Sequence, residues 1–219
     1  MSPVSQDRQR IAAYSMSPPP RSRRNLLTGS AVDRCNGASL LSCVWPSDGG
    51  AIMSKPLIRN AEPRDAAFVA WTVQAADRSH LARGWFDITL DRSESECLEF
   101  LRRLALAQTR SWWHYSLFLI AEVDGVPASG LCRFRSGDGY PLSGPAMTEV
   151  AHSYGWGEGE LGEMWRRASY VRSCIMPSSD DRWIIENVAT RPEYRGRGLT
   201  GMLIERAVED GRARGFNEA

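Results

Sequence analysis

The chain has 219 residues, 42% of them hydrophobic and 24% charged, which suits the single core of one ordinary α/β domain. A formal charge of +1 gives no reason to expect a nucleic-acid partner, because counterion release needs a concentrated basic face. Apolar runs such as Ser116 to Val123 fall far short of the roughly 20 residues of a bilayer span, so no membrane partner is expected.

The five cysteines are widely spaced and form no CxxC pair, and His80, His114 and His152 stand alone. Neither a disulfide framework nor a metal site is therefore expected, and a reducing, cytoplasmic setting is.

Residues 1–52, with "SMSPPPRSRRNLLTGS" and "PSDGG", show no period of 2 or 3.6 and read as disordered or as a spurious upstream extension. An organelle transit peptide is opposed by the acids and by the triple proline at 18–20. Met53 makes a sensible alternative start, and residues 53–219 form the expected domain.

From Leu57 the pattern turns regular. "LIRNA" reads as a strand, and "EPRDAAFVAWTVQAAD" as a helix with Pro63 in its first turn and Phe68, Trp71, Thr72 and Ala75 on one face. "RSHLARGWFDITLD" reads as a loop, followed by a helix whose start carries the capping-box pair Ser93 and Glu96. Two strand-like runs flank Asp124-Gly125, a dipeptide suited to a hairpin turn. Residues 141–181 read as an insertion with one helix, on which Leu161, Met164, Trp165, Ala168 and Val171 share a stripe. "RWIIENVAT" is a strand, and "LTGMLIERAVEDGRARG" a helix burying Leu199, Met202, Leu203 and Ala207, with Gly215 at its end.

The chemistry concentrates between this last strand and helix. A helix start leaves backbone N–H groups without partners and carries partial positive charge, so a phosphate is its natural ligand. Gly196 and Gly198 allow close approach, and Arg195 and Arg197 add charge from the rim. The spacing is neither a P-loop nor GxGxxG.

Arg195, Gly196, Arg197, Gly198, Leu199 and Thr200 resemble the [RQ]xxGx[GA] signature of the GNAT superfamily, the Gcn5-related N-acetyltransferases, departing from it at Thr200. The likeness extends over approximately residues 56–216. It implies a mixed, mostly antiparallel α/β (α+β) sheet with helices on both faces, in the order β-α-α-β-β-insertion-β-α. It further implies acetyl-CoA as cosubstrate, with the amides of Arg195 to Thr200 on its pyrophosphate and the backbone of Val188, Ala189 and Thr190 along its pantetheine arm. The activity implied is acetyl transfer to a primary amine of a small-molecule or peptidic acceptor, directly and without a covalent enzyme intermediate.

Glu186 is the best base, since strand alternation puts it on one face with Val188 and Thr190; Asn187, on the opposite face, is weaker. His80, Trp85, Phe86, Asp87, Tyr154, Trp156, Glu158 and Glu160 are candidates for the acceptor pocket, although core packing and helix-end roles explain them as well. Because the family continues with a further strand and helix beyond this point, the chain is expected to be incomplete at its C-terminus. The alternative reading is a truncated, non-catalytic CoA-binding module or a fragment of a longer acetyltransferase.

Overall fold

The computed structural model describes residues 55–174 and 182–217. The expectations for residues 1–52 and for a start at Met53 lie outside the described residues.

Strand β1 (Leu57–Asn60) leads through a 3-10 turn at Pro63–Asp65 into α1 (Ala66–Arg78). Proline fixes φ near the helical value, which suits it to this entry. Asp65 is the joint: it accepts two bonds from Arg59 on β1, at 2.7 and 2.9 Å, and one from the amide of Glu62 at 2.8 Å. The buried sector of α1 is wider than the expected stripe. Val69, Ala70, Val73 and Gln74 are buried with Phe68 and Thr72, while Trp71 and Ala75 are half-buried, because the sheet and α3 cover α1 from two directions.

The segment expected as a loop contains a helix, α2 (Trp85–Leu90). Two aspartates hold its start: Asp87 accepts the Gly84 amide at 2.8 Å and Asp77 that of Phe86 at 2.9 Å. A Cβ on Gly84 would lie 2.2 Å from the Asp77 carboxylate, so glycine is required there. Helix α3 (Glu94–Ala105) begins at the expected capping box, with the Ser93 amide donating to Glu96 at 2.9 Å, and buries Cys97, Leu101 and Leu104.

Strands β2 (Phe118–Val123) and β3 (Val126–Arg135) form the expected hairpin. Asp124 and Gly125 take φ of 51° and 78°, the left-handed values a two-residue turn demands. The insertion holds more helix than its breakers suggested. The short α4 (Ser136–Gly139) precedes it, and it contains α5 (Ser143–Ser153) and α6 (Glu158–Ala168). Helix α5 has no side-chain cap at its start, which removed the usual signal. Helix α6 buries Leu161, Met164 and Ala168 as expected, but Trp165 is 37% exposed.

Strand β4 (Trp183–Thr190) and helix α7 (Leu199–Ala213) complete the described chain. The sheet runs β1-β2-β3-β4, antiparallel throughout, so β1 and β4 are its edges among the described residues. One core packs α1, α2, α3, α5 and α6 against Phe118, Ile120, Cys132 and Phe134. A smaller one packs Leu199, Leu203 and Ala207 of α7 against Leu119, Ala121 and Leu131 on the other face. Arg133 of β3, 7% exposed, crosses to Asp210 of α7 at 2.7 Å and to Asn60 of β1 at 2.6 Å. No helix among the described residues is long and apolar enough to cross a membrane.

Candidate functional site

The turn after β4 is built as its glycines require. Gly196 and Gly198 have φ of 75° and 73°, a region costly for any residue with a Cβ, and a Cβ at either would meet nothing within 4 Å. The space beside them is open. Gly198 is the N-cap of α7, and the first intrahelical bond runs from the Met202 amide to its carbonyl at 3.2 Å. The amides of Leu199, Thr200 and Gly201 therefore have no intrahelical partner.

Gly196, Gly198, Leu199 and Thr200 line an open cleft of about 440 Å³ together with Val188, Ala189, Thr190, Tyr194, Arg195 and Arg197. All nine residues named from the sequence for a phosphate and its attached arm thus share one cavity. Their side chains differ in how they are held. Arg195 donates to the Thr190 carbonyl at 3.3 Å, whereas Arg197 donates to the Glu193 carbonyl at 3.0 Å and lies 5.0 Å over the Tyr194 ring. Leu199 is anchored in the smaller core. The floor is tied by hydroxyls: Ser129 and Thr190 are 2.7 Å apart, and Thr190 and Thr200 3.0 Å.

Strand β4 does not alternate as expected. Glu186 stands opposite Cys132 and Ala189 opposite Gly130, so four residues of β4 span three of β3 and a bulge lies between. Asn187 sits at the bulge with φ of 50°, a left-handed value that asparagine tolerates better than most residues. The faces separate as a result. Glu186 shares the face of Cys132, while Val188 packs into the core under α7 and Thr190 bonds to that helix. Nor is Asn187 turned away from Glu186: its side-chain amide donates to Cys132 Sγ at 3.7 Å.

Glu186 is half-buried and accepts a short hydrogen bond from Tyr140. Burial raises its carboxyl above the ordinary glutamate range, and the bond from Tyr140 partly offsets the rise. Burial, then Glu186, push the Tyr140 phenol up in turn, and burial pushes up the Cys132 thiol. Cys132 is therefore a packed, protonated group.

Comparison with protein-family models matches residues 85–219 to the acetyltransferase (GNAT) family. The chain belongs to that family. No curated protein matches it in sequence. Among solved structures it is similar to an acetyltransferase at 20% identity, with 73% of this chain and 76% of the other covered and a TM-score of 0.56. It is also similar to an N-acetyltransferase from Staphylococcus aureus Mu50 at 19% identity, covering 70% and 75%, with a TM-score of 0.52. These two likenesses describe the fold.

Within this GNAT chain, Thr200 stands where the signature has Gly or Ala, and its hydroxyl bond to Thr190 links helix to strand. The acceptor candidates scatter. Phe86 is core, and Asp87 is bound by Arg78 at 2.7 Å, which holds its carboxyl below the usual range. Glu160 accepts the Gly157 amide at 3.1 Å, and His80 and Glu158 are exposed. Tyr154 and Trp156 line a separate cleft with Phe100, Glu96 and Glu99. Tyr140 escaped the sequence reading, because 46 residues separate it from Glu186 and its segment is rich in helix breakers.

Proposed function

We propose that this chain transfers the acetyl group of acetyl-CoA to a primary amine of a small-molecule or peptidic acceptor. One juxtaposition carries the reading: a helix start with two left-handed glycines opens into the same cleft as the end of an edge strand, and that strand bears a half-buried carboxylate. The first-turn amides of α7 hold the pyrophosphate, with Arg195 and Arg197 supplying charge at the rim. The edge that β4 forms among the described residues, at Val188, Ala189 and Thr190, pairs with the amide-bearing arm as an added strand would.

Glu186 is the base. As the amine nitrogen bonds to the acetyl carbon, the C–S bond breaks, the thiolate departs with its electron pair, and Glu186 receives the proton that the nitrogen loses. A carboxylate raised by burial is better matched to that task at neutral pH than an exposed one. A cytoplasmic setting belongs to the same proposal, and Cys97 and Cys132 are free thiols consistent with it.

The test is thiol release from acetyl-CoA by the full chain across a panel of primary amines, with Glu186→Gln alongside. Turnover dependent on amine and lost with Glu186→Gln is expected. CoA binding without turnover on any amine would replace this reading with that of a binding module.

A further inference from the structure

We propose that Tyr140, contributed by the segment after β3, is a positioning residue that fixes the Glu186 carboxylate on the five-helix face of β4 and favours its charged form. The inference rests on the assignment of Glu186 above and deepens it. The phenol donates to Glu186, and its ring is held from two sides. Phe134 meets it edge to face at 5.0 Å and Trp112 does so at 5.6 Å. The preceding residue makes that placement possible: a Cβ on Gly139 would fall 2.5 Å from the Phe134 ring and 2.9 Å from Trp112 Cβ. The backbone is thus pressed against the aromatic wall, and Tyr140 reaches over it to β4.

Among the described residues, Tyr140 is the donor placed on Glu186, and its bond acts against the burial that raises the carboxyl. Cys132 of β3 stands opposite as a protonated thiol and carries no charge. The carboxylates around α1 are engaged elsewhere, Asp65 with Arg59 and Asp77 with the Phe86 amide. On the far face, Asp210 of α7 is paired with Arg133. A donor aimed at a carboxylate stabilises its ionised form, so removing the donor makes the group hold its proton to higher pH.

Tyr140→Phe keeps the ring and its packing and removes only the hydroxyl. In the full chain, the Glu186 carboxyl followed by carbon-13 NMR should then titrate about one pH unit higher than in the unaltered protein. The acid limb of kcat/KM should move with it, kcat at neutral pH should fall by at most about tenfold, and KM for acetyl-CoA should stay within about twofold, since Tyr140 lies outside the phosphate cleft. Replacing Tyr140 by difluorotyrosine, a stronger donor of nearly the same shape, should shift the titration the other way. A Glu186 titration unmoved by both replacements overturns the proposal, whatever happens to turnover. A shifted titration together with a fully active Glu186→Gln upholds the pairing and overturns only the assignment of the base.

Discussion

Glu186 reads from sequence as one more strand carboxylate, and its setting makes it unusual. Its pKa is raised in the folded state, so between the unfolded value of about 4.3 and the folded one the folded chain holds a proton that the unfolded chain has lost. The stability contributed by that proton is complete below the unfolded value and vanishes as pH rises through the folded one. Glu186→Gln removes this dependence, so the variant should gain stability relative to the parent between about pH 4 and pH 8. Thermal melts at the two ends check it, and an equal difference at both pH values would refute it. The identity of this residue was legible because it stands on the strand entering the glycine turn. Its environment was not, since the bond to Tyr140 joins segments 46 residues apart and no local pattern encodes such a contact.

Among the elements, α2 shows how a helix can hide. Its six residues are too few to display a period, and its start depends on glycine and on two aspartates at separate places in the chain. Asp87 is 5% exposed and receives Gly84, Gln74 and the Nε and Nη2 groups of Arg78. Asp87→Ala strips these groups of their partner and should cost about 3 kcal/mol, read as a lower urea midpoint at unchanged slope. The elements with local signals were the ones legible beforehand: α3 by its capping box, the β2–β3 hairpin by Asp124-Gly125, α7 by its apolar spacing. The bulge in β4 had no such signal, because a period of 2 fits "IIENVAT" equally well with or without it.

Across the whole molecule the two cores are unequal. The larger one gathers five helices on one face of the sheet, and the smaller one rests almost wholly on α7. Leu203, fully buried, is central to the latter. Leu203→Ala should lose about 3 kcal/mol of stability through the cavity it leaves. Because α7 also presents the glycine turn, the same change should raise KM for acetyl-CoA more than KM for the amine; equal effects on both would argue that helix and turn are not coupled. The sheet and its flanking helices could be anticipated from the order of the elements. Which face each core residue serves depends on strand register, and that emerges only when β3 and β4 are paired.

The bulge at Asn187 bears on association as well as on chemistry. A regular open edge is a rail along which any other strand can zip, and proteins with such edges are prone to stick to one another. In β4 the extra residue breaks the rail at Asn187 into two short stretches, Trp183 to Glu186 and Val188 to Thr190. Such a length accommodates one slender extended molecule and gives a second sheet little to grip. The irregularity that sends Glu186 and Thr190 to opposite faces thereby also guards the strand's exposed side against its own kind.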